Sequence, residues 1–150
     1  MISQGPLKTP LPFQSTKAAR KRLAQLEARH DELKAMGEQL VQEFQRNFPN
    51  SPAYLTRYTD RTLNDYRWRR SSARKWRGDR PPGINVSFDL TGDAGIDLLT
   101  CLPPATRKAW LEYERRRIEL NLALSLLNYE RYRLNDYLTR MEKLRALARK

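Results

Sequence analysis

The sequence predicts an α+β domain in which two long antiparallel helices flank a small antiparallel β-sheet. Residues 15–48 and 103–149 place apolar side chains three and four positions apart, which is the helical period. Residues 53–100 are instead rich in aromatic and β-branched side chains, and Ile84–Leu90 alternates apolar with polar residues, as half-buried strands do. The sheet is therefore expected to be inserted between the two helices in sequence.

The first helix follows a proline-containing segment and ends at another proline. Residues 1–14 show no apolar periodicity and are predicted to form an extended N-terminal arm. Ser15 or Thr16 can cap the helix that follows, because a hydroxyl oxygen accepts a free backbone N–H there. The helix is expected to end near Phe48, since Pro49 disfavours helical geometry in the residue before it.

The middle segment is expected to contain three strands. They are predicted at Tyr54–Thr59, Leu63–Arg70 and Ile84–Leu90, with turns where proline and glycine cluster. A further turn at Thr91–Gly95 leads into a short helix that is expected to run through Leu99.

The second long helix opens at Pro103-Pro104, because proline is tolerated in the first turn of a helix. Its sequence contains two apolar stripes, and a helix that is apolar on two sides needs two partners. The first helix can cover one stripe, and either the sheet or a second copy of the chain must cover the other. A homodimer along this helix is therefore predicted. One stripe contains Leu111, Ile118, Leu122, Tyr129 and Tyr132, and the other contains Leu120, Leu124, Leu127, Leu134, Leu138 and Met141.

Composition favours a polyanionic partner. The chain carries a net charge of +12, which favours binding to a polyanion. Its length of 150 residues suits one domain, which is predicted over residues 15–150. Its single cysteine, Cys101, cannot form an intramolecular disulfide, which fits a reducing compartment.

The chain contains neither an apolar run long enough to cross a membrane nor a secretory signal pattern. A cytoplasmic protein is therefore expected, with no membrane partner.

The strongest functional signal is the segment Arg67–Arg80, called the basic segment below. It contains seven Arg or Lys residues against one acid, Asp79, together with Trp68 and Trp76. Guanidinium groups grip phosphate, and indole rings offer a face on which a base can stack. Trp68 lies in phase with Tyr66 and is expected in the core, whereas Trp76 is the candidate base platform. The candidate phosphate-binding residues of this segment are Arg67, Arg69, Arg70, Arg74, Lys75, Arg77 and Arg80.

Three basic residues at the start of the first helix could extend this surface. Lys17, Arg20 and Lys21 have few acidic neighbours. The positive end of the helix dipole disfavours cations at this position, and a bound phosphate would relieve that conflict.

The sequence offers no catalytic or metal-binding constellation. His30 is the only histidine, which excludes a multi-histidine metal site. The spacing of Asp89, Asp93 and Asp97 could suggest Mg²⁺, but aspartates in turns usually accept local backbone N–H groups. We therefore expect a non-enzymatic protein without metal or cofactor.

Part of the chain resembles a known family. The stretches Tyr66–Arg70, Leu102–Arg107 and Glu114–Tyr129 are similar to the integrase regulator R family of bacterial integrative and conjugative elements. The similarity covers roughly residues 53–145. It implies a role in the expression or transfer of a mobile genetic element, with partner proteins of that element, and it brings no catalytic residues.

Two functional hypotheses follow. The first is a non-enzymatic accessory or regulatory protein that binds nucleic acid, DNA in preference to RNA, through its basic and aromatic side chains. The second is a protein–protein adaptor that dimerises or binds a partner through its long helices. Binding to DNA without any partner, and the salt dependence of that binding, would separate them.

Overall fold

A computed structural model describes residues 9–59, 64–79 and 86–150, and this part of the chain forms the predicted α+β fold. Two long helices flank a three-stranded antiparallel sheet in the order β1-β2-β3. The elements are α1 (Thr16–Asn47), β1 (Ala53–Thr59), β2 (Asn64–Arg70), α2 (Arg74–Arg77), β3 (Ser87–Phe88), α3 (Asp93–Thr100) and α4 (Pro104–Ala148).

The ends of both long helices agree with the sequence prediction to within a residue. The hydroxyl of Ser15 accepts the backbone N–H of Ala18 at 3.1 Å, so Ser15 provides the cap. The buried positions of α1 recur at helical spacing, which gives the helix a single apolar face. These positions are Ala19, Leu26, Leu33, Leu40 and Phe44.

The described residues divide into two compact units. One unit, the sheet unit, consists of Asp31–Ser125 and contains all three strands. The other, the helical unit, consists of the chain up to His30 together with Leu126–Lys150. Each long helix contributes residues to both units, and the prediction of a single domain over residues 15–150 stays a prediction.

The core of the sheet unit is aromatic. Trp68 of β2 stacks on Trp110 of α4, with ring centroids 5.2 Å apart and planes 11° apart. Phe44 of α1 meets both indoles edge-on, each at 5.1 Å between centroids. Trp68 is 1 % exposed, so the prediction that it is a core residue is confirmed. Ring contacts from three elements therefore hold the two helices and the sheet together.

The third strand is shorter than the alternation of the sequence predicts. β3 comprises only Ser87–Phe88, which pair with Arg69 and Trp68 of β2. Leu90 leaves the sheet, enters a turn and is fully buried. Gly95 explains this turn, since a side chain there would overlap the backbone carbonyls of residues 89 and 90. Ile84 and Asn85, which belong to the predicted strand, lie outside the described residues.

In the helical unit, α1 and α4 contact each other directly. The Arg22 guanidinium donates to both carboxylate oxygens of Glu130, at 3.1 and 3.0 Å. Phe13, which precedes α1, packs against Tyr137 with ring centroids 5.7 Å apart. Residue numbers rise along one helix as they fall along the other, so these segments are antiparallel.

The two apolar stripes of α4 differ in solvent exposure. In the stripe that contains Leu120, Leu124, Leu127 and Leu134, these four leucines are buried, with none more than 6 % exposed. Its last two members, Leu138 and Met141, are half-buried. The other stripe is exposed in both units, and we call it the exposed α4 row. Its members are Leu111, Ile118 and Leu122 in the sheet unit and Tyr129 and Tyr132 in the helical unit, at 46–68 % exposure.

Tyr66 of β2 packs directly on the backbone of α1 at Gly37. This close contact leads to the first testable prediction. A methyl group on Gly37 would overlap the ring carbon Cζ and the hydroxyl of Tyr66, which is 2 % exposed and cannot move aside. Gly37→Ala gains about 1 kcal/mol of helix propensity. Overpacking costs about 1–3 kcal/mol, so we expect a lower free energy of unfolding in urea. Met36→Ala, at an exposed neighbouring position, is the control, and a Gly37→Ala protein as stable as the wild type would contradict this packing.

Candidate nucleic-acid interface

A buried ionic network fixes β2 on α4. The carboxylate of Glu114 lies in the interior and accepts a hydrogen bond from the indole N–H of Trp68. The guanidinium of Arg117 donates to both oxygens of this carboxylate, each at 2.8 Å. Arg117 also donates to the backbone carbonyl of Tyr66 at 3.0 Å. A buried charge needs such a partner, and this pair also connects helix to strand.

Asn121 of α4 completes the attachment by replacing a neighbouring strand. Its side-chain amide accepts the backbone N–H of Tyr66 and donates to the carbonyl of the same residue, both at 2.9 Å. β3 pairs with β2 only at Trp68 and Arg69, so Tyr66 has no strand partner on that side among the described residues. An amide side chain carries one acceptor and two donors, which suits it to both backbone groups.

Two pKa shifts reflect this interior. The hydrogen bond to Glu114 raises the pKa of Arg117, and it outweighs the opposing effect of burial. Burial raises the pKa of Tyr66 above its ordinary value of 10.0. Both shifts favour the protonation states that these two groups hold at neutral pH.

Pairing of β1 with β2 collects aromatic and basic side chains on one face of the sheet. Tyr54 lies opposite Arg69, and Thr56 lies opposite Arg67, so these side chains share a face with Tyr58. All five are half-buried. We call these five residues the basic sheet face. It carries two of the predicted phosphate-binding arginines beside two tyrosines that composition alone does not place there.

The predicted arginines of β2 differ in what they already contact. Arg67 pairs with Asp65 at 3.1 Å and lies 3.9 Å over the centre of the Tyr58 ring, so its guanidinium is held. Arg69 Nε is buried and has no hydrogen-bond partner in the described chain. Arg70 lies on the opposite face because side chains alternate along a strand. The basic segment is therefore divided between two faces of the sheet and the short helix that follows.

The helix α2 presents the exposed part of the basic segment. The hydroxyl of Ser71 accepts the backbone N–H of Ala73 just before this turn, and Gly78, with φ of 60°, ends it. Arg74 and Lys75 are exposed and have no carboxylate partner among the described residues. The ammonium of Lys75 lies 4.8 Å from the centre of the Trp76 ring. Exposed cations beside an indole are the arrangement that a phosphate-linked base can use.

Trp76 lies beside an apolar cleft of about 350 Å³, called the Trp76 cleft below. The indole of Trp76 is 37 % exposed, so most of it packs against the protein while one part faces solvent. The predicted base platform is thus one wall of a cavity. The lining residues are Asn47, Phe48, Pro49, Asn50, Ser51, Pro52, Trp76, Leu102, Thr106 and Trp110.

Two predicted residues of the basic segment cannot be placed. Arg77 lies at the end of α2, and only its backbone is described. Arg80 lies outside the described residues. Lys17, Arg20 and Lys21 are exposed in the helical unit.

The helical unit carries most of the net charge of the protein, a concentration that no local sequence pattern predicts. Residues 1–30 and 126–150 contain 13 of the 29 basic and four of the 17 acidic residues, a net charge of +9. Arg145 donates to the Thr16 hydroxyl at 3.4 Å, which places the last turns of α4 beside the first turn of α1. The exposed basic residues at this helix end include Lys17, Arg20, Lys21, Arg145, Arg149 and Lys150.

All three arginines of the basic run Arg115-Arg116-Arg117 form ion pairs. Helical spacing predicts the partners of two of them, Arg115 and Arg117. Arg115 pairs with Glu112 and Glu119 on its own helix. Arg116 instead reaches Glu43 of α1 at 2.7 Å. This run therefore serves the structure and contributes little to a phosphate-binding surface.

Metal and membrane chemistry find no support in the described chain. No three His, Cys, Asp or Glu side chains among the described residues lie close enough together to hold a metal ion. The described helices include none that is both long and apolar enough to cross a bilayer.

Comparisons with known proteins leave the family of the chain open. No protein-family model, no curated protein and no solved structure matches it. The resemblance to the integrase regulator R family stays a prediction.

Sequence reasoning missed Trp110 and Ser51, which line the Trp76 cleft. The signal for Trp110 was the spacing of Trp110 and Tyr113, three residues apart, which places two aromatic rings on one face of a helix. No local pattern marks Ser51, because the fold brings it to the cleft from the turn between α1 and β1.

The buried ionic network generates the second prediction. Glu114→Gln leaves the half-buried guanidinium of Arg117 without its counter-charge, so we expect a loss of about 3 kcal/mol in the free energy of unfolding. Glu112→Gln is the control, since the Glu112 carboxylate is exposed and a surface pair contributes at most about 1 kcal/mol. Chemical denaturation followed by tryptophan fluorescence measures both. Equal losses in the two variants would show that the network is not what fixes β2.

Proposed function

We propose that this chain is a non-enzymatic protein that binds nucleic acid through α2 and the basic sheet face. Arg74, Lys75 and Arg69 supply positive charge for the sugar-phosphate backbone, and Trp76 supplies an aromatic surface for a base. DNA is favoured over RNA by the resemblance to proteins of mobile elements, and that resemblance also motivates a regulatory role in the cytoplasm.

One observation carries the proposal. The exposed cations of α2 have no described acidic partner and stand beside a partly exposed indole, although acidic side chains pair with arginines elsewhere in the same unit. A solvated charge run would mix its signs, as the ion-paired surface around Arg115 does. Unpaired positive charge beside an aromatic ring favours a polyanion that also has flat faces.

The exposed α4 row supports a second candidate, in which the chain dimerises or binds another protein through this helix. Leu111, Ile118 and Leu122 are 46–58 % exposed on one face of α4. Exposed apolar side chains grouped on one helix face commonly mark an interaction site. Helix pairing along the row would also place two basic surfaces on one particle and raise its affinity for a long polyanion.

Salt dependence generates the third prediction. About three phosphate contacts, from Arg69, Arg74 and Lys75, give a slope near −2 for log K against log salt with a single strand. Lys75→Ala should make this slope shallower by about 0.7. Arg115→Ala, which removes the same charge from an ion-paired position, is the matched control and should leave the slope unchanged. Fluorescence anisotropy across a salt series measures all three slopes.

Absent or salt-independent binding of the wild type to single-stranded DNA, duplex DNA and RNA would remove the proposed function. Equal changes of the salt slope in Lys75→Ala and Arg115→Ala would mean that the net charge of the protein, and not the α2 surface, governs binding.

Oligomeric state generates the fourth prediction. If the exposed α4 row is a dimer interface, light scattering at micromolar concentration should give twice the chain mass of 17.7 kDa. Leu122→Glu should return the mass to that of one chain, because it buries a charge in the interface. Met36→Glu, at an exposed apolar position of α1, is the control. A wild-type mass of one chain would reject the dimer.

A further inference from the structure

The Trp76 cleft has the size and lining of a site for one planar ring system. Its volume of about 350 Å³ lies near the lower end of the range for small-ligand clefts, about 300–1,000 Å³. Pro49, Pro52 and Leu102 contribute apolar walls, and the indoles of Trp76 and Trp110 contribute aromatic ones. Such a lining favours a flat, largely apolar occupant.

Two residues that line the cleft carry buried polar atoms without partners within the described chain. The Oγ atom of Ser51 and the indole Nε1 of Trp110 are both inaccessible to solvent and make no hydrogen bond there. Trp110 itself is 1 % exposed. Buried donors and acceptors are almost always paired, so an unpaired set at a cavity indicates a missing polar partner. Trp110 can only donate, whereas the Ser51 hydroxyl can donate or accept.

The inner wall of the cleft is rigid, and its outer wall can adapt. Trp110 is held by stacking on Trp68 at 5.2 Å and by the edge contact with Phe44 at 5.1 Å. Trp76 stands on a single helical turn and is 37 % exposed. A fixed inner indole preorganises the site and lowers the ordering cost of binding.

The positive charge beside the cleft indicates that the ring system is attached to a negatively charged group. Arg74 and Lys75, adjacent to Trp76 in α2, are exposed and without described acidic partners. A ring that carries hydrogen-bonding edges and is linked to phosphates is a nucleotide. In a duplex the base would first have to leave its stack, whereas a single strand presents it freely.

We propose that the Trp76 cleft receives one unstacked base of a single-stranded nucleic acid, an inference that rests on the function proposed above. The base stacks on Trp76, and the adaptable outer wall moves to uncover the two buried atoms. The polar edge of the base then accepts the N–H of Trp110 and exchanges a hydrogen bond with Ser51. Arg74 and Lys75 hold the adjoining phosphates.

The test compares three labelled oligomers of about 12 nucleotides, a length within the footprint of compact single-strand-binding domains. They are oligo(dT), an abasic oligomer with the same phosphates, and the oligo(dT)·oligo(dA) duplex. By anisotropy at low salt, the wild type should bind oligo(dT) at least tenfold more tightly than the abasic oligomer or the duplex. Trp76→Ala and Ser51→Ala should lower affinity for oligo(dT) but not for the abasic oligomer.

Trp76→Phe, which retains an aromatic face, should keep most of the preference for bases. Ile96→Ala, at an exposed apolar position that does not line the cleft, should keep all of it. Equal affinity for oligo(dT) and the abasic oligomer, with the expected salt slope, would overturn the base site and leave the nucleic-acid function intact. Binding to none of the three oligomers would overturn both.

Discussion

The carboxylate of Glu114 is the group on which the organisation of the sheet unit depends. It lies in the interior, where Arg117 donates to both of its oxygens and Trp68 donates to one of them. Removing a charge of this kind from water is expensive, and the cost is offset only when all its hydrogen bonds are made. The same arginine reaches the backbone of Tyr66, so one ion pair sets the position of β2 on α4.

The position of the candidate interface follows from this attachment. Trp68 is fixed by its hydrogen bond to Glu114 and stacks on Trp110, which forms the inner wall of the Trp76 cleft. Arg67 and Arg69 alternate with Trp68 along β2, so burial of the indole turns these arginines to the other face. The segment that continues from β2 then forms α2 and carries its exposed cations beside the cleft. A structural ion pair thereby orients the surface that we propose binds nucleic acid.

Much of the fold could be predicted from the sequence because its signals are local. Proline bounds both long helices, and the apolar spacing of α1 identifies its buried face. The alternation around Tyr66 and Trp68 likewise predicts which indole is buried. The turn that removes Leu90 from the third strand could not be predicted, because it depends on the close approach of Gly95 to the backbone before it. The strand-like role of Asn121 depends in the same way on tertiary contact.

The candidate site was predictable in composition but not in geometry. The sequence marks Trp76 and its basic neighbours, yet the Trp76 cleft is assembled from the turn after α1, from α2 and from the start of α4. Ser51 and Trp110 enter the site only through that assembly. The ion pair between Arg67 and Asp65 and the concentration of positive charge in the helical unit likewise require the three-dimensional arrangement.

The three indole N–H groups allow a direct test of the account, because each occupies a different environment. A ¹⁵N-labelled protein should show three indole resonances, which single Trp→Phe variants assign. On titration with a single-stranded oligonucleotide, we predict that the resonances of Trp76 and Trp110 shift, whereas that of Trp68, bound to Glu114, stays in place. Saturation without a shift of Trp76 or Trp110, or with changes confined to the exposed α4 row, would contradict the account.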